Sequence, residues 1–290
     1  MKKSKLAKVL TVSLAALMVF GLASCGGGSG KVSDKDITVI SREEGSGTRD
    51  AFTELTGVLQ DDVDKTVDTA EISNSTSVVT QSVAGNDAAI GYISLGSLDD
   101  TVKAVKVDGV EATVDNIKSG DYKIQRPFNI VTKGEVKELP ADFIKFIMSK
   151  DGQKIIEDEG YISVNENAEA YKASGLKGSI TLAGSTSVSP VMEVLADKYK
   201  ELNSGVTIEI QQTGSGAGIQ STTEGVCDIG MASRELKDEE TSQGLKSEEI
   251  ALDGIAVIVN KENPINNLTK DQVMNIYTGN VTAWDDITEE

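Results

Sequence analysis

The chain has 290 residues, 39% of them hydrophobic, which suits one two-lobed globular protein or two small domains with buried cores. A formal charge of −18 and an aromatic content of only 4% argue against duplex nucleic acid, single-stranded nucleic acid or an anionic membrane surface as partner. There is no histidine, so Ser-His-Asp and Cys-His arrangements, HExxH zinc sites and histidine general bases are all removed, which weighs against most hydrolases.

Residues 1–24 have a basic start, Lys2, Lys3, Lys5 and Lys8, then an apolar run from about Val9 to Leu22, and read as a signal peptide. The run is short for a spanning helix. Leu22-Ala23-Ser24-Cys25 resembles a lipobox, which implies cleavage before Cys25 and lipid on its thiol and new N-terminus. Removing the four leader lysines makes the mature chain more acidic still. Residues 25–36 are glycine-rich and polar, a flexible tether. The expected location is the outer face of the cytoplasmic membrane, held by lipid rather than by a span.

Ile37–Leu55 reads as strand, turn and helix: Ile37 to Ile40 is β-prone, Gly45-Ser46-Gly47-Thr48 turns, and Phe52 and Leu55 share a helical face. Such a unit can hold an anion, because glycines admit the backbone, hydroxyls donate and free helix amides converge. Arg42 adds a fixed charge with several donors. Taken alone, the unit reads more readily as a serine N-cap beside a solvated arginine than as an anion site.

Further along, Asp61–Asp68 reads as an acidic loop or helix edge and Thr76–Val83 as helical, with Val78, Val79 and Val83 spaced for it. Ala89–Ile93 is a strand. Lys103–Val107 and Val110–Thr113 flank Asp108-Gly109 and predict a hairpin. Pro127–Thr132 is a strand, and Leu139–Ile156 one amphipathic helix. Ala168–Lys177 is a polar surface connection.

The pattern then restarts. Ser179–Leu182 is a strand, Gly184-Ser185-Thr186-Ser187 a turn, and Ser189-Pro190 an N-cap and first helical position, with Val191, Val194, Leu195 and Leu202 buried. Val206–Ile210 leads to a third turn, Gly214-Ser215-Gly216-Ala217-Gly218. Cys227–Ala232 is a strand with Cys227 as a small buried residue, followed by Ser233 and Arg234. Glu249–Asn260 is a buried strand and Leu268–Tyr277 a helix. Arg234 either faces the site or pairs with Glu235 or Asp238, Glu43 can orient Arg42, and Trp284 and Tyr92 are packing residues.

Three strand–turn–helix units argue an α/β architecture with parallel pairs and a ligand outside the carboxyl ends of strands. No turn has the spacing of GxxxxGK[ST] or GxGxxG. A small tetrahedral oxyanion fits the donors better than a nucleotide does.

At these residues, AGSTSVSP, TGSGAG, DIGMASREL, ALDGIAVIVN and SREEGSGTRDAF, the chain resembles the phosphate-binding proteins of bacterial ABC importers. The likeness spans most of residues 37–290. In the familiar family order AGSTSVSP comes first and SREEGSGTRDAF follows the Trp284 segment; here the order is rotated, which looks like a circular permutation joined through Ala168–Lys177. The resemblance implies a type II periplasmic-binding-protein-like α/β fold, two lobes that are each a mixed sheet flanked by helices. Residues 37–102 and 264–290 would form one lobe and residues 103–263 the other.

It also implies roles. Thr186, Ser187, Ser215 and Ser233 would contact phosphate from one lobe, and Arg42, Ser46, Gly47 and Thr48 from the other. In some relatives an aspartate stands at the position of Ser233 and accepts the proton of a protonated phosphate; a serine can accept as well as donate. The implied function is a monomeric, lipid-anchored receptor that passes inorganic phosphate to an ABC permease and ATPase, without cofactor or metal and without catalysis. The alternatives are the same fold tuned to sulfate or molybdate, and a phosphate-ester hydrolase using Ser46 or Ser187, for which no activating base is evident.

Overall fold

A computed structural model describes residue 32 and residues 35–287 of the chain. The leader, Cys25 and most of the tether lie outside the described residues. In chain order the elements are β1 (Thr38–Arg42), α1 (Gly47–Thr56), β2 (Leu59–Gln60), β3 (Val63–Asp64), β4 (Glu71–Ser73), α2 (Thr76–Gly85), β5 (Ala89–Ser94), β6 (Val102–Ala104), β7 (Lys106–Val107), α3 (Val114–Lys118), β8 (Gln125–Lys133), α4 (Glu138–Ile147), α5 (Lys150–Asp158) and β9 (Ile162–Ser163). They continue as β10 (Gly178–Gly184), α6 (Ser189–Leu202), β11 (Val206–Gln212), α7 (Ser215–Glu224), β12 (Ile229–Ala232), α8 (Asp238–Thr241), β13 (Leu245–Asn260), β14 (Asn267–Leu268) and α9 (Lys270–Tyr277).

The main sheet runs β11-β10-β12-β8-β13-β5-β1-β4. Its two ends repeat one design. On one arm β10 pairs parallel with β11 and β12; on the other β1 pairs parallel with β4 and β5. Between them lie β8 and β13. The 16 residues of β13 serve both arms: Leu245–Gly254 pairs antiparallel with β8, and Ile255–Val259 with β5. A bulge at Glu249–Ala251 shifts the register within the first stretch.

Each arm has its own core. The β1 arm buries Phe52, Tyr92 and Tyr277, with Phe52 stacked on Tyr92 at 3.9 Å between ring centroids. Full burial of one such ring contributes about 1.5–3 kcal/mol. Trp284 packs here and donates its indole N–H to the Ala88 carbonyl at 2.9 Å. The β10 arm buries Phe128, Phe143, Phe146, Leu182, Leu195 and Tyr199. Segments 103–124 and 255–263, placed with the other lobe from sequence, contribute Val105, Val107, Tyr122, Ile124, Val257 and Val259 to the β1 core.

Several expectations need correction. The Lys103–Thr113 hairpin does not form. Asp108 and Gly109 do turn with positive φ, but only the Val107–Val110 bridge follows, because β6 pairs with β13 and β7 pairs in parallel with β14. The helix expected over Leu139–Ile156 is two helices. Ser149 breaks it by accepting the Gly152 amide as an N-cap, 3.3 Å away. In α6 the cap position is Val188, and Ser189 donates its hydroxyl to the Ser185 carbonyl at 2.9 Å. Its buried face uses Met192 and Tyr199, while Val194 and Leu202 face solvent. Val78 is likewise on the outer side of α2. The acidic loop is a hairpin of β2 and β3 turned by Asp61 and Asp62, both at positive φ.

Candidate functional site

Parallel strands end where their helices begin, so the two arms bring four helix starts to one place. The first is that of α1. Gly45 takes φ 80°, and the Ser46 hydroxyl then accepts the Arg49 amide at 3.4 Å as N-cap. Gly47 and Thr48 form the first turn behind it. A Cβ on Gly47 would stand 2.5 Å from Ser215 Oγ and 2.8 Å from Ser233 Oγ, so only glycine lets α1 approach the other arm this closely.

The second start follows β10. Gly184 has φ 144°, and a Cβ there would meet the Met231 carbonyl at 2.1 Å. The chain then turns through Ser185, whose hydroxyl accepts the amides of Ser187 and Val188 and donates to Ser233 Oγ at 2.9 Å. The third is α7. Thr213 and Gly214 donate their amides to the Gly184 carbonyl, both at 2.9 Å, and Gly216 donates its amide across the arms to Gly45 O at 2.9 Å. The fourth, α2, begins at Thr76 after the Ser75 cap.

Side chains from these starts interlock. Arg42, 2% exposed, sends Nη2 to Thr186 Oγ1 at 3.0 Å and Nη1 to Thr76 Oγ1 at 3.4 Å. Glu43 grips the same guanidinium with both oxygens at 2.8 Å, which fixes its plane. Thr48 Oγ1 lies 2.9 Å from Ser187 Oγ, and Thr76 Oγ1 lies 3.1 Å from the same atom. Ser215 Oγ accepts the Ser233 amide at 3.2 Å and lies 3.3 Å from Ser233 Oγ. All of these hydroxyls are buried.

The backbone behind Arg42 is also held. Its amide donates to the Tyr92 hydroxyl at 3.1 Å, and its carbonyl accepts Arg49 Nη1 at 2.8 Å. Burial pushes the Tyr92 phenol up to about 12, with the Ser41 hydroxyl hydrogen bond working against it, so it remains neutral. Beneath Ser233 sits a second buried guanidinium. Arg126 on β8 and Asp253 on β13 are register partners and pair at 3.1–3.2 Å, with Ser94 donating to the free Asp253 oxygen. Arg126 Nη1 also reaches the Ser233 carbonyl at 3.4 Å. Burial pushes Asp253 up to about 6, and the attraction of Arg126 offsets only part of that.

The structure therefore gathers all eight residues singled out from sequence. Arg42, Thr48, Thr186 and Ser187 form one hydrogen-bonded set and Ser215 with Ser233 another, linked through Ser185; Gly47 lies against the second, and Ser46 belongs through its cap, with its hydroxyl on the Arg49 amide. Two participants were missed. Ser185 lay inside a recognised turn. Thr76 lacked the signal, since no glycine precedes α2 and β4 is three residues long. Arg234 pairs with neither expected acid: its Nη atoms hold Glu240 at 2.8 Å, and its Nε lies 3.0 Å from Asp50 Oδ2. Glu235 serves only through its carbonyl. Chemically, the site is a ring of neutral hydroxyls and helix amides around one anchored guanidinium. Ser187 touches other hydroxyls, none of them a base able to activate it.

The family model of the PBP superfamily domain matches residues 28–151 and 169–290. Phosphate-binding protein PstS 2 of Streptococcus agalactiae serotype V is 51% identical over 296 residues, covering 100% of both chains. Phosphate-binding protein PstS 2 of Streptococcus pneumoniae serotype 4 is 47% identical, over 98% of this chain and 99% of its own. A crystal structure of a phosphate-binding protein of a phosphate ABC transporter from Streptococcus pneumoniae TIGR4 aligns with a TM-score of 0.71 and 48% identity, covering 88% of this chain and 100% of that chain.

Proposed function

We propose, from the premise that this chain belongs to the family of phosphate-binding proteins of ABC importers, that it captures inorganic phosphate between the two arms and hands it to the permease. It is a transport receptor, not an enzyme, and it works outside the cytoplasm. The observation that carries the reading is the convergence of Arg42, Thr48 and Thr76 from one arm with Thr186 and Ser187 from the other onto one buried spot.

The mechanism follows from that geometry. Each arm with its helices is one lobe, and β8 and β13 are the crossings on which they move. A phosphate ion entering the cleft takes over donors that otherwise bond one another. Arg42 contributes charge-assisted hydrogen bonds, with Glu43 holding it in plane. Gly47, Thr48 and Ser187 contribute amides and hydroxyls, and the hydroxyls of Thr186, Thr76, Ser215 and Ser233 complete the shell; the Ser46 side chain keeps α1 capped. Because Ser233 can accept, it also suits a protonated phosphate, whereas sulfate brings no proton to share. Ligand contacts drawn from both lobes stabilise the closed state.

Anchoring through lipid on Cys25 completes the reading and rests on the lipobox-like Leu22–Cys25. The rotated segment order is compatible with an intact sheet. The join between β9 and β10 runs over the β10 arm, where Tyr171 and Ser174 both donate to Asp142 Oδ2. Titration calorimetry of the purified receptor with phosphate, repeated in excess sulfate, tests the assignment. Micromolar or tighter phosphate binding that sulfate does not displace is expected; displacement by equimolar sulfate rejects phosphate as the cognate ligand.

A further inference from the structure

We infer that Asp50 and Arg234 form a latch that holds the closed cleft from outside the ligand shell. Neither residue belongs to that shell, and the inference rests on the receptor reading above only for its direction, closure on ligand. Arg234 follows Ser233 directly, so the chain delivers its guanidinium to the edge of the cleft. Both its Nη atoms are engaged within the β10 arm, on Glu240 at 2.8 Å, and Nη1 also donates to the Glu235 carbonyl. Glu240 is itself fixed by the Lys237 amide at 2.8 Å. Only Nε reaches across, to Asp50 Oδ2 at 3.0 Å in the first turn of α1. Lys237 Nζ stands 3.9 Å from the same oxygen.

Two features make this arrangement a latch rather than a general interface. The first is its asymmetry. Separating the arms removes Asp50 alone; Arg234 keeps Glu240, so no buried charge is left without a partner. Asp50, more exposed than Arg234, passes to water. The contact is thus cheap to break and remake. The second is its surroundings. The pair borders a cavity of about 430 Å³ lined on one wall by Ala51, Leu55 and Leu59 and on the other by Pro127 and Leu236. The arms are not packed tightly against each other there, so charge does more than apolar contact to hold this edge.

Asp50 is a positioning residue: it shares the first turn of α1 with Gly47 and Thr48 and touches no ligand group. An interaction made only in the closed state slows opening, so it acts on dissociation rather than capture. The test is stopped-flow phosphate binding to the full receptor and to Asp50→Asn and Asp50→Glu, at low and high salt. Partly exposed ion pairs of this kind are expected to shift the dissociation rate by up to roughly fivefold. Asp50→Asn should show that increase with an association rate within about twofold of the parent, lose the salt dependence of dissociation, and be restored by Asp50→Glu. An unchanged dissociation rate, or a loss carried by association, overturns the latch. The distance between labels placed on the two arms, measured in phosphate-free buffer, separates this from failure of the phosphate reading. A longer distance in Asp50→Asn supports the latch even with another ligand, and an identical distance counts against it.

Discussion

Thr48 and Ser187 hold their hydroxyl oxygens 2.9 Å apart, although 139 residues separate them in the chain. One lies in the first turn of α1 and the other just before α6, on opposite arms. A hydroxyl both donates and accepts, so the pair can satisfy itself or turn toward an oxyanion without stranding a buried polar group. Closure therefore needs no rebuilding of the site, only a rotation of hydroxyls.

Arg42 is the only cation with direct contacts inside the hydroxyl ring among the described residues. Arg42→Ala should weaken phosphate binding by about 2–4 kcal/mol, roughly 30- to 1000-fold, while the fold persists. Calorimetry with a parallel thermal melt checks both halves of the statement. Undiminished affinity would remove Arg42 from the ligand shell.

Thr76 came to light only through the structure. Thr76→Val keeps its shape and deletes its hydroxyl, so it isolates the contacts to Ser187 and Arg42. A loss of about 0.5–1.5 kcal/mol in phosphate affinity is expected, with the melting temperature within a few degrees of the parent. Equal affinities would make Thr76 a packing residue.

Gly47→Ala separates stability from closure. Alanine favours a helix over glycine by up to about 1 kcal/mol, so α1 should not weaken. Yet the added methyl would stand against Ser215 and Ser233 across the cleft. Phosphate affinity should fall more than about tenfold while the melt is unchanged or slightly higher. A variant that binds like the parent would show that the arms need not approach this closely.

The Arg126–Asp253 pair at the crossing strands predicts a pH effect. The Asp253 carboxyl is pushed up to about 6, above its unfolded value. The folded state then holds the extra proton between the two values, so this contribution to stability is complete at lower pH and is lost as pH rises through about 6. Asp253→Asn should lack that decline. At neutral pH it should be no less stable than the parent, because asparagine stands in for the neutral carboxyl that burial favours. Denaturant melts of both proteins from pH 4.5 to 7.5 decide; parallel curves would be fatal to this account.

Much of the site was legible because its backbone needs leave marks. Gly45, Gly184 and Gly214 take conformations that side chains resist, and each announces its turn in sequence. Thr76 left no such mark, since α2 starts from extended backbone at Ser75 that any residue can adopt. The partners of Arg234 were invisible for another reason. Asp50 is near it only through the meeting of the arms, and Glu240 only because the chain turns into α8. The mistaken hairpin has the same origin. Local alternation over Lys103–Val107 was real, but β7 finds its neighbour in β14, which comes about 160 residues later in the chain. Ser149, by contrast, was readable as a cap and was hidden by the apolar stripe that continues across it.

The long strand β13 also dictates the order in which this molecule can be made. Ser94 on β5 waits for Asp253, 159 residues downstream, and the antiparallel neighbour of β5 arrives only with Ile255–Val259. Until then the β1 arm has an open sheet edge and an unfinished core, however early it emerges from the ribosome. Pairings this distant make folding slow and leave the newborn chain prone to sticking. The β1 arm, first in the chain, is therefore among the last parts able to close its sheet.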